Sequence, residues 1–244
     1  MIKVKGDGEK MDRVRGSQEQ ECLNKVTDLM LQNGDLRLLK YFQSADPNSE
    51  ASEFPDFLFD GGYIEHFRIY TSKENKKGAE QKKAEHSFNT DVKIKLDQQT
   101  AEWLQSPPHT EICVNEYKMQ SPEYSYEYFV KSFKRNFENH ITSLKSYNGE
   151  KDNGIFLIEA EGARITVVEN SEFKKFYLLQ YDKDILEYIY GFANELQYVV
   201  FLQNESYEIL KLADIPQMLM KVPKDITFGV GRYINISLGL FMDI

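Results

Sequence analysis

Cysteine is scarce in this chain: Cys22 and Cys113 are its only two, far apart in sequence. So few sulfurs give neither a disulfide framework nor a zinc motif, and they suit a reducing cytoplasm, where the protein is expected to reside. No apolar run approaches the roughly 18–20 residues that span a bilayer, so no membrane association is expected. Residues 1–15 are charged and lack the apolar segment of a signal peptide. Tryptophan occurs once, so the aromatic mass of the core falls to 15 Tyr and 16 Phe. Basic charge is also in short supply. With 30 Lys and Arg against 39 Asp and Glu, the net charge is −9, which argues against coating nucleic acid by charge alone. One local basic stripe remains compatible with that balance. Gly-x-Ser-x-Gly and phosphate-loop motifs are missing. Gly229 and Gly231 do not make a dinucleotide loop, which would have to join a strand to a following helix.

The 244 residues are enough for one large domain. Residues 1–16 read as a flexible N-terminus and 17–244 as a single α/β domain with a loop-rich insertion around 71–122. Ser17 reads as the N-cap of a helix whose apolar positions Cys22, Leu23, Val26 and Met30 recur up to the Asn33-Gly34 stop. After the lysine-rich stretch Lys73 to Lys83, a strand is expected at Asp91 to Leu96. Residues 97–122, with Trp103, Pro107, Pro108 and Pro122, read as loop with one short helix. The phenylalanine stripe at 129, 133 and 137 marks the core face of a helix over 123–147. Ile155 to Glu159 and Ala163 to Val168 read as a strand pair. Asp184 to Gln197 reads as a helix, Tyr198 to Leu202 and Tyr207 to Leu212 as strands, and Ile226 to Phe241 as a closing hairpin. The interleaving gives an α/β fold with a mixed β-sheet flanked by helices and a C-terminal extension of strands and helix.

The clearest local signal is a β-hairpin, Phe54 to Phe59 and Tyr63 to Tyr70 around Asp60-Gly61-Gly62. With Asp60-Gly61 as the turn, Phe59 pairs with Gly62, Phe57 with Ile64, and Asp56 with Glu65. Opposed residues project to one face about 4.5–5.5 Å apart, and two facing carboxylates repel unless a cation or proton sits between them. With Gly61-Gly62 as the turn, the two acids are diagonal neighbours on the same face. Glu19, at 100° per residue, falls on the arc of Cys22, Leu23, Val26 and Met30 and points toward the core, where a carboxylate needs a partner.

A helix acid, then Pro55-Asp56 entering a strand, then Glu65 on the next strand, followed by helix and strand, resembles the PD-(D/E)XK (restriction-endonuclease-like) nuclease superfamily. The resemblance covers residues 17–70 by motif and extends loosely through the helix at 123–147 and the strand at 155–159. It implies a restriction-endonuclease-like core that holds Mg²⁺ or Mn²⁺ on Asp56 and Glu65, assisted by Glu19. The implied activity is hydrolysis of DNA or RNA by metal-activated water. Phe67 stands where the family has a lysine that orients or activates the water. The resemblance therefore turns to Lys73, Lys76 or Lys77 after the strand, or to Lys131, Lys134 or Lys145 on the later helix, as substitutes.

Each feature also has a plainer reading. Asp56 can start an edge strand, Glu65 can sit in a surface salt bridge, and an acid in a first helical turn is common for its effect on the helix dipole alone. His66 alternates to the opposite face from Glu65 and reads as a packed or surface histidine. His86, His109 and His140 share no ligand spacing with one another or with Cys113. The basic stretch Lys73 to Lys83 is interrupted by Glu74 and Glu80 and reads as a solvated face or a phosphate-binding loop. The rival to an enzyme is a non-catalytic binding or interaction protein on a degenerate nuclease-like scaffold.

Overall fold

Two left-handed glycines bracket the first helix. In the computed structural model, which describes residues 16–49, 54–72, 79–104, 113–119, 124–161, 164–169, 172–223 and 226–238, helix α1 (Ser17–Asn33) runs between Gly16 at φ 88° and Gly34 at φ 64°. Ser17 is therefore the first helical residue, not the cap, and no side chain caps this end. Gly34 ends the helix as expected, its N–H reaching the carbonyls of Leu31 and Met30. Cys22, Leu23, Val26 and Met30 form the buried face. Helix α2 (Leu39–Ser44) and the two-residue strand β1 (Asp46–Pro47) follow.

The hairpin forms in the first of the two registers. Strands β2 (Phe57–Phe59) and β3 (Gly62–Tyr70) pair Phe59 with Gly62, Leu58 with Tyr63 and Phe57 with Ile64. Gly61, at φ 82°, takes the turn position that needs a left-handed residue. Helix α3 (Ala79–Leu104) and strand β4 (Cys113–Met119) come next, then helix α4 (Tyr126–Ser146), whose Ser125 cap accepts from Tyr128 N–H at 3.1 Å. Helix α4 carries the chain across to strand β5 (Asn153–Glu161), which lies parallel to β3. Past strands β6 (Arg164–Glu169) and β7 (Glu172–Phe176), helix α5 (Lys183–Tyr190) leads to strand β8 (Tyr198–Gln203), parallel to β5. Strand β9 (Ser206–Lys211) returns antiparallel; helix α6 (Ile215–Leu219) and strand β10 (Thr227–Leu238) end the described chain. The main sheet has six strands in the order β1-β2-β3-β5-β8-β9.

Strand alternation sorts the core into two layers. Tyr63, Phe67, Ile69, Phe156 and Ile158 pack on one face with Phe129, Phe133 and Phe137 of α4 and Ile185 and Ile189 of α5. Ile64, Ile155, Leu157, Val200 and Leu202 pack on the other with α1 and α2. The mixed sheet is thus sandwiched between helices, as the sequence pattern implied.

Several expectations are corrected. Residues 91–96 lie inside α3 and form no strand. The alternation of Val92, Ile94 and Leu96 is embedded in a stretch free of Gly and Pro and rich in Ala, Glu, Gln and Lys, so helix propensity prevails. The stretch 97–122 holds the end of α3 and all of β4. Strands β5 and β6 do not pair. The unbroken apolar run Ile155–Ile158 makes β5 a central parallel strand, while β6 joins a second sheet in the order β4-β10-β6-β7. The helix expected over 184–197 stops at Tyr190 and gives way to turns. The closing hairpin is one long strand, β10, whose Gly229 and Gly231 sit within the ladder opposite Thr166 and Arg164.

Candidate functional site

Asp56 lies where β2 and β3 part. It is the residue after the last ladder pair, Phe57 with Ile64, and so stands across from Glu65. Side chains continue the ladder there. Asp56 N–H donates to Glu65 Oε2 at 3.0 Å, and His66 N–H donates to Asp56 Oδ2 at 2.8 Å. Each acid therefore satisfies a main-chain donor of the opposite strand, and the two carboxylates are held together at the mouth of the hairpin.

Helix α4 supplies a third group. His140 Nδ1 lies 2.6 Å from Glu65 Oε1, and Phe67 stacks on the His140 ring at 4.3 Å and an interplanar angle of 9°. The Glu65 side chain is 8% exposed and that of His140 is 25% exposed, so solvent reaches this group from the histidine side. Burial, then the charge of Glu65, and last that of Glu19, push the Asp56 carboxyl up to about 7, against the opposing hydrogen bond from His66 N–H. Near neutral pH Asp56 carries a proton part of the time. A cation between the acids would take that proton's place.

Not every residue singled out from sequence joins this group. Glu19 belongs to α1, whose buried face packs against the sheet face opposite to Phe67 and α4, and it acts on Asp56 only through its charge. Glu19, Asp56 and Glu65 are not among the sets of three metal-binding side chains that gather within 4.8 Å among the described residues. Lys73, Lys76 and Lys77 lie outside the described residues. On α4, Lys134 sits 5.0 Å over the Tyr188 ring, while Lys131 and Lys145 are exposed. Among the described residues none of these three pairs with Asp56 or Glu65.

His140 is the group that sequence reading missed. Its signal was present: position 140 follows Phe133 by seven and Phe137 by three, on the flank of the buried stripe of α4. Its partner carries no local signal, because Glu65 lies 75 residues away in sequence.

A second polar group lies on the α1 face. Cys22 of α1, His66 of β3 and Glu159 of β5 bring ligand atoms within 4.8 Å of one another. His66 is buried, as expected for a packed histidine, but it packs against polar neighbours. Beside it Arg68 is bonded to Glu161 and Gln18. His66 sits at the middle of β3 and Glu159 in the carboxyl half of β5, on the sheet face covered by α1.

Chemically, the Asp56–Glu65–His140 group offers two carboxylates to a hard cation and one imidazole able to hold or pass a proton. Asp56 and Glu65 suit Mg²⁺ or Mn²⁺ as oxygen donors, since each ionised carboxylate keeps lone pairs beyond the hydrogen bonds it accepts. The fit is to two carboxylates, with Glu19 apart from them. No protein-family model matches this sequence, and no curated protein or solved structure matches it significantly.

Proposed function

We infer that this chain is a divalent-metal-dependent phosphodiesterase acting on DNA or RNA, with Asp56 and Glu65 as metal ligands and His140 as the proton-transfer group. The observation that carries the reading is the pairing of Asp56 with Glu65 at the parting of β2 and β3, closed by His140. The order of elements supports it. Helix α1, the β-hairpin bearing the two acids, the crossover helix α4 and the strand β5 parallel to β3 come in the order that the resemblance to PD-(D/E)XK nucleases implies, with α2, β1, α3 and β4 between them.

The bound ion would polarise the scissile phosphate and activate water. The chain's own residues do the rest. Glu65 holds His140 through Nδ1, which leaves Nε2 as the other proton-exchanging atom of the ring. Phe67 fixes the plane of that ring by stacking, so the residue at the family's lysine position here supports a histidine. His140 then takes a proton from the attacking water or gives one to the leaving oxygen, the task the missing lysine leaves open.

A specific observation favours a second reading, a non-catalytic interaction protein. Glu65 is already paired with His140, and His140 is already stacked on Phe67, so the group is satisfied without any ligand. Cleavage of labelled single- and double-stranded DNA and RNA with Mn²⁺ separates the two. The enzyme reading expects turnover that disappears in Asp56→Asn and Glu65→Gln. It expects His140→Gln to lose about 10²–10⁴-fold in kcat with little change in KM. Folded wild-type protein that cleaves none of these substrates supports the interaction reading instead.

A further inference from the structure

We propose that Cys22, His66 and Glu159 form a binding site for a borderline transition-metal ion of the Zn²⁺ class, on the opposite face of the sheet from the Asp56–Glu65–His140 group. The proposal does not rest on the phosphodiesterase reading. Three elements supply the ligands: the buried face of α1, the middle of β3, and the carboxyl half of β5. Parity fixes them together, because His66 and Glu159 each alternate to the α1 face, onto which Cys22 projects.

The donor set is a thiol, an imidazole and a carboxylate, with ligand atoms all within 4.8 Å of one another. Sulfur and nitrogen donors select Zn²⁺ and its neighbours over Mg²⁺ or Ca²⁺. A second observation points to a ligand. His66 Nε2 is buried and makes no hydrogen bond of good geometry among the described residues. It faces Glu159 Oε2 at 3.4 Å, long for a hydrogen bond. Metal–nitrogen and metal–oxygen bonds of about 2.0–2.2 Å at a tetrahedral angle leave the two ligand atoms about 3.4 Å apart. The His66–Glu159 spacing, that of an ion pair, also fits two ligands sharing one ion.

Charge is compatible with this arrangement. With the Cys22 proton released to solvent on binding, the thiolate and the Glu159 carboxylate neutralise one divalent ion. The nearby cations are occupied: Arg68 is bonded to Glu161 and Gln18, and Lys25 pairs with Glu205 at 3.2 Å. The Cys22 and His66 side chains are shut away from water, whereas Glu159 is 26% exposed, so a fourth position opens on the Glu159 side. Three protein ligands and one open position describe a zinc site able to hold water or a small anion. The plain alternative is a buried, inert thiol beside a histidine–glutamate ion pair.

Titration of the full chain with Co²⁺, the spectroscopic substitute for Zn²⁺, decides between them. The expected result is a thiolate-to-cobalt charge-transfer band saturating at one equivalent and abolished by excess Zn²⁺. It is absent in Cys22→Ala and kept in Cys113→Ala. Glu159→Gln, whose side chain is partly exposed and tolerates the change, lowers Co²⁺ affinity by at least about 100-fold. Asp56→Asn leaves the band unchanged, so this site and the carboxylate pair stand or fall separately. A wild-type chain that shows no band overturns the proposal. So does a band that survives in Cys22→Ala, or Glu159→Gln binding as tightly as wild type.

Discussion

Asp56 is the residue on which the chemistry turns, and its acidity makes a prediction that needs no substrate. Burial and the Glu65 charge hold its carboxyl up to about 7, and burial does the same for Glu208, whose carboxylate accepts from Leu179 N–H at 2.6 Å and Gln180 N–H at 3.0 Å. In the unfolded chain both ionise near 4. Between about pH 4 and 7 the folded state binds more protons than the unfolded state, so stability falls as pH rises through that window and levels off above it. Asp35 runs the other way: hydrogen bonding from Arg37 holds it at about 2, so its contribution is lost only as pH falls below 4. Asp56→Asn is expected to flatten the decline between pH 4 and 7 by about 1–2 kcal/mol, after allowing for solvent screening. Urea titrations across that range measure it, and an unchanged slope contradicts the assigned acidity. That Asp56 and Glu65 share a face was readable from hairpin parity, whereas their direct opposition depended on which of two turns formed. The engagement of His140 was not readable, because only packing of α4 against β3 brings a residue 75 positions away to Glu65.

At the scale of elements, a clean apolar stripe made a helix legible with or without a side-chain cap, as α1 shows, and α3, which lacks the stripe, was not legible. Helix α4 has both, Ser125 at its start and Phe129, Phe133 and Phe137 fully buried along one face. Ser125→Ala is expected to cost about 1 kcal/mol and Phe137→Ala about 3–5 kcal/mol, read from chemical denaturation. The same Phe137→Ala change removes the edge-on contact to Phe67, the ring that stacks on His140, so it should lower turnover more than a remote core change of equal cost. The hairpin turn is equally specific. A Cβ on Gly62 would stand 2.7 Å from the Asn153 carbonyl and from the Phe59 ring, so Gly62→Ala is expected to destabilise by about 1–3 kcal/mol. Helix α3 and strand β10 went unread for opposite reasons. In α3 a local alternation of apolar residues imitates a strand, and in β10 two glycines imitate a turn that strand pairing with β4 and β6 overrides.

For the whole molecule, the sequence carried the class but not the partition of strands. A mixed sheet between two helical layers follows from alternating helical and strand patterns. The split into a six-stranded and a four-stranded sheet does not, because β5 and β6 are neighbours in sequence and separate in the fold. Within the six-stranded sheet, alternation along β3 puts two polar groups on opposite faces, one built on Glu65 and one on His66. Among the described residues, no helix is long and apolar enough to cross a membrane. The Asp56–Glu65 pair as a seat for a divalent ion is the claim on which the functional reading stands. Calorimetric titration of Mn²⁺ into the full chain tests it most directly, with Cys22→Ala as background so that the second site does not contribute. One Mn²⁺ is expected to bind near neutral pH, more weakly as pH falls below 7, and not at all in Asp56→Asn or Glu65→Gln, both folded. Absence of binding in the folded background chain, or equal binding in all three, contradicts it.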